Sequence, residues 1–155
     1  MSNIKWPEEI SFYTDIEEKG ERLFDEYSNS SGTISDDYMD IGGGRVVFDI
    51  SDVASEPSVL KVAHNQYGVS EIEAENRIRR RMEESLRRRL VPNVRSGDGW
   101  AVQPKCEKPR NAKSHVNKLQ DMFEHTDPND LSEIYSLNIG TWNGSPVIYD
   151  YGGIW

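Results

Sequence analysis

Residues 41–63 read Ile-Gly-Gly-Gly-Arg-Val-Val-Phe-Asp-Ile-Ser-Asp-Val-Ala-Ser-Glu-Pro-Ser-Val-Leu-Lys-Val-Ala. Two runs rich in β-branched residues, 45–50 and 59–63, flank a polar turn at 52–57, and glycines precede the first run. The pattern predicts a glycine-led β-hairpin. Lys61 is embedded between Leu60 and Val62-Ala63. It belongs either to the solvent face of an alternating strand or to a buried position, where an ammonium without a partner is costly.

Beyond the hairpin, residues 69–90 place Ile72, Ile78, Met82, Leu86 and Leu90 at helical spacing, which predicts one long helix. Glu71 to Glu75 open it with charge suited to a helix N-terminus. Glu75 lies three residues from both Ile72 and Ile78 and shares their face, whereas Glu73 points with Arg77 and Arg80. A carboxylate in the apolar stripe suggests a specific partner; the plain alternative is that these acids balance the arginines. Seven arginines between Arg77 and Arg89 are expected on the outer surface of this helix. With Glu83 and Glu84 interleaved they read as a solvated face, able to meet phosphates or the acidic segment 8–40.

Two short strands are predicted at 91–95 and 100–103, joined by Ser96-Gly97-Asp98-Gly99. Pro104 and Pro109 mark a connecting segment, 112–125 reads as a helix and 130–138 as a passage from helix to loop. A hairpin follows, with strands 139–142 and 146–149 around Asn143-Gly144, and then Asp150-Tyr151-Gly152-Gly153. On the other side, residues 8–27 predict an amphipathic helix with Tyr13, Ile16, Leu23, Phe24 and Tyr27 near one face. Pro7 suits its first turn and Gly20 weakens it. Residues 28–40 read as a polar loop.

The formal net charge of −9 is unevenly spread. Residues 1–40 carry eleven carboxylates against Lys5, Lys19 and Arg22, a net of −8, and the remainder is nearly neutral. Two divisions are therefore expected: an acidic N-terminal helix and loop, 1–40, and a domain, 41–155. An acidic chain without a basic tail argues against general nucleic-acid binding, which needs cationic surface to replace counterions. No apolar run approaches the roughly 18–20 residues of a membrane span, and no signal-peptide segment is visible, so a cytoplasmic protein is expected. Cys106 is the single cysteine. A disulfide framework or multi-cysteine zinc site within one chain is thereby excluded. His64, His115 and His125 lack metal-ligand spacing. Leu, Ile, Val and Phe form about 22% of the chain, a modest core.

The order of these features is glycine turn, strand, lysine-bearing strand, helix with an acid in its stripe, two strands, linker, helices, Asn-bearing loop, and hairpin ending in Asp-Tyr-Gly. It resembles the protein-kinase-like fold in the reduced form of small viral and prokaryotic kinase-like proteins, over about residues 41–153. The resemblance implies an α+β fold with a five-stranded N-lobe-type antiparallel sheet, the Arg-rich helix across it and a truncated helical lower lobe. It also implies ATP and Mg²⁺ as cofactors. Gly43 and Gly44 would lie over the nucleotide, although Gly42-Gly43-Gly44 lacks the spaced glycines of the kinase signature. Lys61 would contact the phosphates and Glu75 would orient it. Segment 103–106, with Lys105, would face the adenine. Asn138 and Asp150 would hold the metal through oxygen, with Tyr151 in place of the usual phenylalanine. The plain alternative for Asp150-Tyr151-Gly152 is an ordinary hairpin followed by a turn.

Glu133 occupies the position of the catalytic base, five residues before Asn138, where the family has aspartate; Asp130 is the nearby substitute. An extra methylene displaces the carboxylate by about 1 Å, a shift able to cost around 10²-fold in rate. The chain ends three residues after Gly152, leaving no activation segment or helical platform for a protein substrate. The expected activity is therefore ATP and magnesium binding with weak phosphotransfer or none. The competing expectation is a non-enzymatic, pseudokinase-like interaction protein, of viral origin in host cytoplasm or virion. It would bind a protein partner through the acidic N-terminus and the arginine helix. A third reading is an unrelated α+β binding domain.

Overall fold

The hairpin at the centre of the sequence is also the centre of a five-stranded antiparallel sheet. The computed structural model describes residues 4–29, 39–41, 44–108, 112–123 and 139–151. Strands β1 (Asp40–Ile41), β2 (Arg45–Asp49), β3 (Ser58–Ala63), β4 (Arg95–Gly97) and β5 (Trp100–Pro104) lie in the order β1-β2-β3-β5-β4. The chain thus has a mixed α+β fold built on an antiparallel sheet. It divides into two compact units. One comprises Pro7–Glu73 and Asn93–Lys105; the other comprises Met1–Trp6, Ala74–Pro92 and Cys106–Trp155.

The first unit holds the sheet and helix α1 (Ile16–Asn29). Alternation along the strands sends Val46, Phe48, Leu60, Val62, Trp100 and Val102 into one cluster, where Ile16 and Tyr27 of α1 join them. Tyr27 stacks on Phe48 with ring centroids 5.8 Å apart. On the opposite face, Ala63 and Ala101 pack with Ile72. Strand β3 is buried along its whole length. Every side chain on it, Lys61 included, therefore faces packed structure, and the solvent-face reading of Lys61 is excluded.

Helix α1 starts at Ile16 rather than at residue 8. The Asp15 carboxylate caps it, Oδ1 accepting from the Glu18 amide at 3.1 Å. The preceding residues run as an extended strap. Phe12 bridges Ala54, and the Tyr13 amide donates to the Val53 carbonyl at 2.8 Å. Tyr13, expected on the apolar face, is 73% exposed. Gly20 is not a weak point of the helix but a contact: any Cβ there would overlap the Trp100 indole.

Helix α2 (Gln66–Arg81) begins in the first unit, capped by Asn65 Oδ1 on the Gly68 amide at 2.9 Å, and continues into the second. The single helix expected over 69–90 is interrupted. Glu83 is extended, with φ −64° and ψ 156°, before the short α3 (Glu84–Arg87). Two arginines satisfy carbonyls around the interruption. Arg87 donates from Nε and Nη2 to Met82 O at 3.1 and 2.6 Å, and Arg79 Nε donates to Leu90 O at 3.0 Å.

In the second unit, β6 (Ile139–Trp142) and β7 (Ser145–Ile148) form a hairpin. Its turn residues, Asn143 at φ 50° and Gly144 at φ 81°, are both left-handed, as a two-residue loop demands. Ile139 and Ile148 pack with Leu119 and Phe123 of α4 (Ala112–Phe123) and with Ile78, Met82, Leu86 and Leu90. A strand expected at 91–95 is realised only as β4; Leu90 instead makes an isolated parallel bridge to Ile148.

Candidate functional site

The glycine end of the hairpin is closed by packing against α2. A Cβ on Gly44 would run into Gly68 and the Glu71 carboxylate, and one on Gly68 into the Gly44 carbonyl. The Gly44 carbonyl accepts from the His64 amide at 2.9 Å. Arg45 and Glu71, both nearly buried, form an ion pair at 3.6 Å beside this contact. Gly44 thus has a packing reason to be glycine, apart from any ligand. Gly43 lies outside the described residues.

The register of the sheet brings Lys61, Gln103 and Asp49 onto a single face. Val47, Lys61 and Ala101 form one cross-strand row, and Asp49, Val59 and Gln103 the next. Lys61 is 3% exposed. Lys105, expected at the nucleotide, is half-exposed and bonds Asp49, Nζ to Oδ2 at 2.6 Å. The hydroxyl and amide of Ser51 donate to Asp49 Oδ1 at 2.6 and 2.9 Å. The lysine bond first, and then the serine, hold the Asp49 carboxyl down to about 2. Gln103 is 1% exposed, and its Nε2 has no hydrogen-bond partner among the described residues. The sequence pattern puts Gln103 at the end of the strand 100–103 and, through the resemblance, in segment 103–106 expected to face the adenine. Its two-residue offset from Ala101 was the signal that puts it on the face of Lys61.

In the second unit, Glu75 has no exposed surface. Its Oε2 accepts from the Tyr151 backbone amide at 3.2 Å, and the Tyr151 hydroxyl donates to Val91 O at 2.8 Å. The fully buried tyrosine is thereby held at both its backbone and its ring tip, immediately after Asp150. Asp150, half-buried, follows β7, which is tied to the neighbouring segment by Val91 N to Ile148 O at 2.9 Å and Ile148 N to Arg89 O at 2.7 Å. The structure therefore brings Glu75 to the Asp-Tyr segment. The candidate bases Glu133 and Asp130, and the candidate metal ligand Asn138, lie outside the described residues.

The arginine face is smaller than expected. Arg80, Arg81 and Arg88 are exposed, whereas Arg79 and Arg87 serve backbone carbonyls and Arg89 is buried, donating from Nη1 to Pro146 O at 3.1 Å. Burial lowers the pKa of both Arg79 and Arg89 from the usual guanidinium value.

Among the described residues no three His, Cys, Asp or Glu side chains gather as a metal cage. A magnesium carried by nucleotide phosphates needs only one or two protein carboxylates, and Asp150, on an anchored segment, fits that smaller demand. No described helix is long and apolar enough to cross a membrane. In comparisons with known proteins, no protein-family model matches this chain and no curated protein matches it.

Proposed function

We propose that this protein binds ATP with magnesium on a kinase-like scaffold and has weak phosphotransferase activity or none. The observation that carries this reading is the burial of two ionisable side chains at the strand and helix positions named by the sequence pattern, Lys61 and Glu75. Burying a charge is costly enough that apolar residues would serve a purely structural strand and helix better. Lys61 is assigned to the phosphates. Glu75 fixes the backbone that follows Asp150, and Asp150 with Asn138 is assigned to the metal. Magnesium, when bound with the nucleotide, neutralises phosphate charge and orients the terminal phosphoryl group. Glu133 is the assigned base, with Asp130 as its substitute.

Titrating the full chain with ATP in a thermal-shift experiment, with and without magnesium, tests this. A ligand at about 100 times its Kd adds roughly 2.7 kcal/mol of stability. The magnesium-dependent part of the shift is expected to vanish in Asp150→Ala and to persist in Glu133→Ala. Absence of any shift at millimolar ATP would refute the reading.

A second reading, a non-catalytic interaction protein, is favoured by a separate observation. The outer face of α1 exposes Glu17, Glu18, Glu21, Asp25 and Glu26. Next to it, a shallow cavity of about 460 Å³ is lined by Glu9, Asp15, Glu17 and Arg95 among others. Arg95 is engaged there, 3.9 Å from Glu17 and 6.0 Å from the Phe12 ring centroid. This surface suits a basic protein partner. A pull-down that survives Asp150→Ala but fails on reversing the α1 charges would place function there instead.

A further inference from the structure

Three acids on the exposed outer face of α1, Glu17, Glu21 and Asp25, follow one another at i,i+4. Like charges at that spacing repel and weaken a helix. Glu17 and Glu18 suit the helix N-terminus, but Asp25 and Glu26 stand near the other end. Acids there oppose the macrodipole, and no base occupies the last turn. Glu18 and Glu26 flank the exposed Arg22 at i,i+4, whereas the row through Glu17, Glu21 and Asp25 contains no base of the helix. Acids alone would be a solvated face. The cavity at the start of the row adds an independent observation, because a guanidinium already lines it. Arg95 shares the cavity with Glu9, Phe12, Asp15 and Glu17, its guanidinium 6.0 Å from the Phe12 ring centroid and 3.9 Å from Glu17. A carboxylate beside an aromatic ring suits a planar guanidinium better than an ammonium. Both distances are at the outer limit of such contacts, and the paired side chains are 49% and 64% exposed. Arg95 therefore holds the place loosely, and the cavity of about 460 Å³ leaves room for another arginine.

The spacing of the row sets the form of the partner. Residues four apart rise about 6 Å along a helix, and alternate residues of an extended chain are about 6.7 Å apart. An extended segment with arginine at every second position thus sets one guanidinium against each acid. We propose that the outer face of α1 and the cavity at its start dock an extended, arginine-bearing segment of a partner protein, one arginine entering the cavity beside Phe12 and Glu17. This rests on the reading of the protein as an interaction module.

The test is fluorescence anisotropy of a labelled peptide, Ser-Arg-Ser-Arg-Ser-Arg-Ser, and of its lysine counterpart, each titrated with the full chain at low ionic strength. The wild type is expected to bind the arginine peptide about 2- to 5-fold more tightly than the lysine peptide, the factor that one exposed cation–π contact supplies. Arg95→Gln, which vacates the cavity, is expected to tighten the arginine peptide by about 2- to 5-fold again. Lys113→Gln removes one cation from the exposed surface of α4, in the second unit, and should change the affinity by less than about twofold. Glu17→Gln with Glu21→Gln is expected to weaken the arginine peptide about 2- to 30-fold. The matched loss of two exposed acids from the second unit, Glu107→Gln with Asp121→Asn, should weaken it by less than about twofold. Equal binding of the two peptides by the wild type overturns the inference and leaves a generally basic partner standing. So does an affinity of Arg95→Gln no higher than that of Lys113→Gln, or a loss in the Glu17 and Glu21 variant no larger than in its match. Failure of both peptides to bind at millimolar concentration overturns the interaction reading of this face itself.

Discussion

Asp49 illustrates what a single side chain owes to its surroundings. In sequence it is one of 27 carboxylates. In the fold it accepts from Lys105 and twice from Ser51, and these bonds, the lysine's first, lower its pKa to about 2 from the usual 3.8. Because the folded value lies below the unfolded one, its contribution to stability is complete above about pH 4 and is lost as pH falls through about 2. Both partners are more than a third exposed, so the contribution is expected not to exceed about 1 kcal/mol. Chemical denaturation of the wild type and Asp49→Asn should show a constant difference from pH 5 to 7. That difference should shrink between pH 4 and 2; one that widened on acidification would contradict the assignment. Lys105 thus has a structural partner within its own unit, which sequence reading, lacking the register of β2 and β5, had no way to see. Lys61 and Glu75 were legible because a charge inside an apolar pattern is visible from spacing alone.

Elements were legible where their signals are local. The positive φ values at Asn143 and Gly144, and the 79° of Gly99, are what Asn-Gly and Asp-Gly turns predict, and β5, β6 and β7 fall within a residue of expectation, whereas β4 shares only Arg95 with the strand expected at 91–95. Helices were less legible, since their limits depend on partners. The start of α1 belongs to Asp15 rather than Pro7, and the stretch 69–90 breaks near Glu83. Helix propensity argues that Gly20→Ala should stabilise α1 by up to about 1 kcal/mol. Packing argues the reverse, because the new methyl would overlap the Trp100 ring. We expect packing to prevail, with a loss of about 1–3 kcal/mol in urea unfolding. A gain in stability would mean that the helix and sheet separate more easily than their cores imply.

At the scale of the molecule, neither compact unit is a continuous piece of chain. The first is interrupted between Glu73 and Asn93, and the second draws on Met1–Trp6, Ala74–Pro92 and Cys106–Trp155. Within the second unit the start of the chain reaches its far end. Trp6 and Trp142 have ring centroids 4.8 Å apart, Trp6 Nε1 donates to Arg88 O at 2.9 Å and Trp142 Nε1 to Lys5 O at 3.1 Å. Ile4 is buried with Val91 and Val147. Trp6→Ala is therefore expected to cost about 2 kcal/mol, below the range for a fully buried aromatic because Trp6 is half-buried. The same substitution should alter the near-ultraviolet circular dichroism of Trp142. An unchanged unfolding midpoint would show that residues 4–6 do not hold the hairpin.

The sequence by itself determined the antiparallel hairpins, the mixed α+β class, the acidity of residues 1–40 and the two charged positions inside apolar runs. Each of these is written in alternation, turn chemistry or composition, which act over a few residues. Tertiary structure alone decided that α1 lies on the sheet, that Gly20 yields to Trp100 and Gly44 to Gly68, and that Arg79, Arg87 and Arg89 serve backbone carbonyls. It also decided that Lys105 belongs to Asp49, that Glu75 holds Tyr151 and that Gln103 shares a face with Lys61. Those outcomes depend on strand register and close packing between segments tens of residues apart. A pattern with a period of two or 3.6 residues carries no information about which distant partner will fill the space.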